Sequence, residues 1–157
     1  MLFDTHTHLN AYQFNDDLDE VINRAKENGV TNMVVVGFDR PTIEKAMELI
    51  DKYPHIYGCI GWHPVDAIDC TEQDLKWIEE LSQHPKVVAL GEMGLDYHWD
   101  KSPKDVQKEL FRKQIRLAKK LKMPIVIHNR EATEDIVTIL KEEKAEEVGG
   151  IMHCFSG

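Results

Sequence analysis

His6 and His8, separated only by Thr7 and preceded by a short apolar start, stand where two imidazoles could hold one metal ion. In an extended strand, side chains two apart point to the same face, and neutral ring nitrogens ligate divalent transition metals. Glu92, His128 and His153 each stand at the end of a later apolar run, and His63 follows another. One strand-end histidine is usually structural or solvated. Several ligand-type side chains at successive strand ends are hard to assign to chance, because ionisable groups are seldom buried without partners. Imidazoles would hold the ions, and a carboxylate such as Glu92 could bridge two of them and offset their charge. Such a pair can activate water and polarise a scissile bond. The pattern points to metal-dependent hydrolysis.

The elements that must position these residues are short apolar strands alternating with amphipathic helices. Strands are expected at Leu2 to Asp4, Asn32 to Val36, Ile56 to Gly61, Val87 to Gly91, Ile125 to His128 and Gly150 to His153. Their brevity and apolar content suit strands covered on both faces. Leu18, Val21, Ile22 and Ala25 stripe a first helix that Gly29 stops. Pro41 fits the first turn of a second, with Ile43, Ala46, Met47 and Ile50 inward. Thr71 with Asp74, and Ser102 with Asp105, read as capping boxes opening a third and a fourth helix. The third carries Leu75, Ile78 and Leu81, with Trp77 expected in the core. Val106, Leu110, Ile115, Ala118 and Leu121 line the fourth; Ile136, Val137, Ile139 and Leu140 line a fifth. Strand–helix alternation implies a parallel α/β sheet. The expected architecture is one domain over residues 1–157, TIM-barrel-like in the (β/α)8 sense but holding about six strand–helix units. In such barrels, function gathers at the C-terminal ends of the strands.

Composition narrows the partners. Charged residues are 30% and hydrophobic residues 42% of 157, an ordinary globular balance. A formal charge of −9 excludes a broad basic nucleic-acid surface. It leaves room for a local groove in which bound cations invert the field. No charged stretch followed by an apolar core opens the chain, and the longest apolar run, Met33 to Val36, cannot span a bilayer. Cys59, Cys70 and Cys154 form no even-numbered disulfide framework. A cytoplasmic protein without membrane contact is expected.

Five motifs together resemble the TatD family of metal-dependent hydrolases, a branch of the amidohydrolase superfamily. They are Asp4-Thr5-His6-Thr7-His8-Leu9, Gly61-Trp62-His63-Pro64, Gly91-Glu92-Met93-Gly94-Leu95-Asp96, His128-Asn129-Arg130 and His153-Cys154-Phe155-Ser156-Gly157. The resemblance implies a distorted β/α-barrel and a deoxyribonuclease, often a 3′–5′ exonuclease, cleaving phosphodiesters with metal-activated water. Single-stranded DNA or another nucleic acid would be the substrate. It implies that His6 and His8 bind a first metal, that Glu92 bridges two, and that His128 and His153 bind the second. His63 would contact substrate or phosphate from the pocket wall, and Arg130 would pair with phosphate oxygens through its fork. Two divalent cations, Mg²⁺, Mn²⁺ or Zn²⁺, are implied; ligand softness favours Zn²⁺ or Mn²⁺, whereas family members are commonly Mg²⁺-dependent.

Family members continue for about two more strand–helix units, in keeping with a barrel of about 250 residues. One of those late strands carries a metal-binding aspartate in a Glu-Thr-Asp triplet. The chain is therefore expected to be an N-terminal portion, with open sheet edges that promote self-association. Some relatives cleave the D-aminoacyl ester of transfer RNA, which the same metals would serve, and an inactive metal-binding fragment is a third reading. Several assignments stay open. His63 reads equally as a packed ring in a turn, and Arg130 as surface. Asp96 and Asp4 could orient ligands or cap loops. His55, His84 and His98 read as solvated, and Cys154 as a buried small residue.

Overall fold

Six parallel strands form one sheet whose spatial order is the order of the chain. They are β1 (Leu2–Thr7), β2 (Val30–Gly37), β3 (Ile56–Ile60), β4 (Val87–Asp96), β5 (Ile125–Arg130) and β6 (Gly150–Met152). Five helices connect them: α1 (Leu18–Glu27), α2 (Arg40–Lys52), α3 (Glu72–Leu81), α4 (Lys104–Leu121) and α5 (Thr133–Glu142). The computed structural model describes residues 1–155, so Ser156 and Gly157 of the last motif lie outside the described residues.

The sheet is curled. Neighbouring strands stand about 4.8 Å apart, so a flat six-stranded sheet would hold its outer strands roughly 24 Å apart. Instead the rings of His6, on β1, and His153, just past β6, stack with centroids 3.6 Å apart. Among the described residues no ladder joins β1 to β6, and the barrel is open there. The expected (β/α)8-like architecture of about six units is what the chain adopts.

Alternation along the strands separates two apolar layers. Met33 and Val35 face the helices in the main core with Ile43, Ile50, Ile60, Ile78, Phe111, Ile115 and Ile136. Val34 and Val36 face the inside of the curl, with Cys59, Ala89 and Val126. Predicted punctuation holds at two helices. Asp39 and Thr42 cap α2 with Pro41 in its first turn, and Thr71 and Asp74 form the capping box of α3.

Other expectations need correction. The Ser102–Asp105 box does not form, because Ser102 spends its hydroxyl on the loop after β3. Its Oγ donates to Val65 O and accepts from Ile68 N, while Pro103 is the N-cap of α4. Val106 and Val137 are exposed rather than inward. The buried stripe of α4 runs instead through Gln107, Leu110, Phe111, Gln114, Ile115 and Ala118. Trp77 sits half-buried on the rim of the core, its ring 4.3 Å from the Arg40 guanidinium carbon. Strands β1, β4 and β5 run longer than expected, so His6 and Glu92 lie within strands, not after them, and His128 lies inside β5 and does not close it, while β6 ends at Met152 and leaves His153 just past it.

Gly94 explains the extension of β4. Pairing with β5 continues through Gly94–His128, Leu95–Asn129 and Asp96–Arg130. A Cβ on Gly94 would lie 2.0 Å from the His128 carbonyl oxygen, and φ there is +146°. Only glycine fits this close approach.

The outer edges remain apolar. Leu2, Phe3 and Ile151 are exposed, and a cleft of 320 Å³ beside β6 is lined by Ile125, Ile127, Leu140, Ala145 and Met152 among others. Among the described residues no helix is long and apolar enough to cross a membrane.

Phe111 is fully buried where α4 meets the sheet. Phe111→Ala is expected to lower the unfolding free energy by about 3–5 kcal/mol. Val137→Ala, on an exposed face, should change it by no more than about 0.5 kcal/mol, both read from urea unfolding.

Candidate metal centre

The strand ends of the curled sheet converge on a pocket of 590 Å³ lined by His8, Phe38, His63, Glu92, His128, Arg130, His153 and Cys154, with Val65, Asp66 and Asn129. Glu92 is its centre. The carboxylate is only 5% exposed and has imidazoles on both sides. Its Oε1 lies 3.1 Å from His128 Nδ1, and its Oε2 lies 3.7 Å from His6 Nε2. Burial would raise the Glu92 pKa, but the His128 hydrogen bond and the charges of His128, His63 and His6 hold it down at about 2. It is a carboxylate at any working pH.

His128 is gripped from both sides. Its Nε2 lies 2.9 Å from Asp96 Oδ2, opposite the Glu92 contact. Burial alone would lower its pKa, yet the hydrogen bonds to Glu92 and Asp96 outweigh that and raise it. His6 and His63 behave oppositely: burial, the largest influence on each, pushes them down to about 4. Both rings are therefore neutral near pH 7, the form in which an imidazole nitrogen can ligate a metal. The buried Nε2 of His6 has no hydrogen-bond partner. An orphaned imidazole nitrogen beside a buried carboxylate is what a cation would satisfy.

The distances sort the donors into two groups, each with its ligand atoms within 4.8 Å: His6 with Glu92 and His153, and His63 with Glu92 and His128. Glu92 belongs to both. This donor set, two groups sharing one carboxylate, fits a pair of divalent cations. His8 lies outside both groups, its ring 5.0 Å from that of His6 and 5.7 Å from that of Phe38. His153 stacks on His6 rather than lying beside His128. His63 faces the His128 ring at 4.3 Å, and its Nδ1 accepts from the Val65 amide. A neutral ring accepting at Nδ1 carries its proton on Nε2, so in this arrangement His63 offers a hydrogen-bond donor and would ligate a cation only by losing that proton or the Val65 contact. Arg130 lines the pocket from its exposed mouth.

Other readings settle differently. Asp96 is buried and holds His128 from behind. Asp4 is exposed and accepts from the His6 amide, not from its ring. Cys154 is exposed, not buried, because the turn after β6 carries it outward at φ +48°. His55 is not wholly solvated, since its Nε2 is buried without a partner. His84 is partly buried against Asp51, whereas His98 is exposed beside Glu131.

Two glutamines of α4 escaped the sequence reading. Gln107 accepts from Asp96 N and donates to Asp96 O, and Gln114 does the same to Trp62. Each amide satisfies a backbone donor and acceptor at a strand's C-terminal end. The clamps fix the segments that lead to His63 and His98. The one available signal was their seven-residue spacing on an otherwise apolar stripe.

An open parallel barrel whose strand ends converge on paired imidazole–carboxylate groups is an architecture of the β/α-barrel class with a candidate metal centre at its C-terminal face. The chain belongs to the TatD related DNase family, whose model matches residues 3–157. It is 73% identical over its whole length to the uncharacterized metal-dependent hydrolase YabD of Bacillus subtilis (strain 168), covering 62% of that protein. It is 34% identical over 156 residues to the 3′-5′ ssDNA/RNA exonuclease TatD of Escherichia fergusonii, covering 99% of this chain and 60% of that one. The crystal structure of YJJV, a TatD homolog from Escherichia coli k12, superposes with a TM-score of 0.91 at 28% identity, over 99% of this chain and 61% of the homolog. A TatD family hydrolase from Entamoeba histolytica gives the same score over 58% of its length. The chain thus spans about three fifths of the length of these relatives.

Ligation of a cation by His128 would displace the proton that Glu92 and Asp96 hold on that ring. Calorimetry with Mn²⁺ near pH 6.5, in buffers of different ionisation enthalpy, should register proton release. His128 binds its proton more tightly than a free imidazole, so apparent affinity should rise with pH through and beyond the ordinary histidine range. His6 and His63, already neutral above about pH 5, should add no dependence there.

Proposed function

We propose that this chain carries the cation-binding core of a metal-dependent phosphodiesterase acting on single-stranded DNA, with the 3′–5′ exonuclease activity of its named relatives as the expected mode. One observation supports it above the rest: a buried carboxylate, Glu92, shared by two imidazole groups at the floor of an open pocket. Two divalent cations there would supply Lewis-acid polarisation of the phosphoryl oxygen and a nucleophilic water at neutral pH. Mg²⁺, Mn²⁺ and Zn²⁺ are the candidates.

The chain's own residues take the following parts. The family resemblance would give His6 and His8 with Glu92 to one cation and His128 and His153 with Glu92 to the other, whereas the imidazoles here group around Glu92 as His6 with His153 and His63 with His128, so that His153 would join the first cation and His8 would approach it from further out. Glu92 offsets part of the positive charge, and Asp96 aims the His128 ring. His63 donates its Nε2 hydrogen to a phosphate oxygen. Arg130, at the mouth, pairs its planar fork with phosphate oxygens, which a carboxylic ester lacks. That pair favours a phosphodiester over an aminoacyl ester. A cytoplasmic location suits the three free thiols.

Hydrolysis of a single-stranded oligonucleotide with each cation, by this chain and by Glu92→Ala, tests the reading. Cleavage that needs the cation and falls by at least about a hundredfold in the variant is expected, since a shared ligand serves both ions. Cleavage that survives the substitution would remove Glu92 from the chemistry. A folded, cation-loaded chain that cleaves a D-aminoacyl ester and no phosphodiester would replace the reading.

The apolar edges motivate a second expectation. Leu2, Phe3 and Ile151 lie on strands with one neighbour each among the described residues, and unpaired edges invite association. Sedimentation velocity at micromolar concentration should show self-association that Ile151→Lys reduces. A monomer at all concentrations would refute it.

A further inference from the structure

The pocket faces a problem of affinity. Arg130 is the one lysine or arginine that lines it among the described residues, and the chain carries a formal charge of −9. Among the described residues, phosphate neutralisation by many basic side chains, the usual source of nucleic-acid affinity, is not on offer at this pocket. Contact with bases would have to supply what the charges do not.

An exposed aromatic surface stands where such contact is needed. Trp99 is 55% exposed, on the loop between β4 and α4. The Arg130 guanidinium carbon lies 5.9 Å from its ring centroid, and Arg130 lines the pocket mouth. The His98 ring meets Trp99 edge-on at 4.8 Å, and His98 is itself tied to Glu131. An indole exposed beside a guanidinium and held at a fixed place next to the site offers a flat apolar face on which a planar ring can stack.

The loop is not free to wander. Asp96 divides its carboxylate: Oδ2 takes His128 Nε2 at 2.9 Å, while Oδ1 accepts the amides of His98 at 3.0 Å and Trp99 at 3.4 Å. Gln107 holds both backbone polar groups of Asp96. The same buried carboxylate therefore positions His128 and the indole. A platform indexed to the chemistry in this way can set where a strand lies relative to the scissile bond.

We propose that Trp99, flanked by Arg130, is a base-stacking platform at the mouth of the pocket, holding one unpaired nucleobase while the adjoining phosphate enters. This rests on the nucleic-acid reading above and goes further, because it assigns the residue that selects single strands. Every base has a π-face, so the contact tolerates sequence, and a paired base keeps its faces within the duplex stack. Arg130 contributes from two sides, its charge towards phosphate and its plane beside the indole.

The test is binding of a fluorescein-labelled thymidine decamer by anisotropy, with Ca²⁺ in place of the catalytic cation, compared with a decamer of abasic deoxyribose phosphates. Trp99→Ala should weaken thymidine-decamer binding by about tenfold or more, Trp99→Phe should recover most of it, and the abasic decamer should bind both proteins equally. Quenching of Trp99 fluorescence by the decamer should accompany binding, read as the difference between the wild-type chain and Trp99→Phe. An equal loss on the abasic strand would overturn the platform in favour of a merely structural loop. Undiminished binding by Trp99→Ala would overturn it too. Hydrolysis of bis(p-nitrophenyl) phosphate by the wild-type chain separates the two proposals. Cleavage of that ester without decamer binding would sink the platform and leave the phosphodiesterase standing; neither would sink both.

Discussion

A carboxylate with almost no access to water sits at the convergence of the strands, and the site is organised around its charge. An isolated buried carboxylate is disfavoured by several kcal/mol, so Glu92 demands donors or cations on every open side. His128 answers directly with a hydrogen bond, His6 and His63 from further out. Asp96 complements that contact, since with Glu92 at one ring nitrogen and Asp96 at the other neither N–H of a protonated His128 is left without an acceptor. The curl of the sheet follows from the same constraint. Only a rolled sheet can bring His6 of β1, His128 of β5 and His63 from beyond β3 around one side chain of β4.

The helices secure that arrangement by unlike means. Most of the contact is apolar burial on the outer face, which is tolerant of small shifts. Alpha-helix α4 adds two amide clamps that are not tolerant, because Gln107 and Gln114 each match a donor and an acceptor on one residue. Placement of strand ends to within a hydrogen-bond length is what a metal or phosphate site requires. Gly94 contributes by omission, letting β4 close on β5 where any side chain would strike the His128 carbonyl.

Much of this was legible in the sequence. His6, Glu92, His128 and His153 stood out because ionisable groups beside β-branched runs are rare unless partnered, and all four gather at one end of the curled sheet. The alternation of strands and helices followed from periodicity, and so did most of the helix stripes, though not Val106 or Val137, which are exposed. The strand limits did not. Gly91 and Gly94 read as punctuation, whereas the partner strand overrides that local signal and carries β4 on to Asp96. Gln107 and Gln114 were hidden because a neutral amide on a helix looks like surface until its backbone partners, more than ten or fifty positions away, are known. The sorting of five histidines around Glu92 depends on ring orientations that no spacing rule contains. Ser102 shows the same competition in miniature: a good capping residue taken by the distant loop after β3.

The three thiols differ in a way that offers an experimental handle. Cys59 is sealed inside the curl, where burial pushes its ionisation far above the ordinary thiol range. Cys70 is partly covered, and burial together with nearby acids pushes it up to about 12. Cys154 is exposed and lines the pocket. Alkylating reagents act on accessible thiolates, so an unmodified chain would take a maleimide dye or nitroxide at Cys154 first. A reporter group would then sit on the pocket wall next to His153, placed there by the native sequence, where its spectrum reads solvent exclusion and local mobility as ions and oligonucleotides enter.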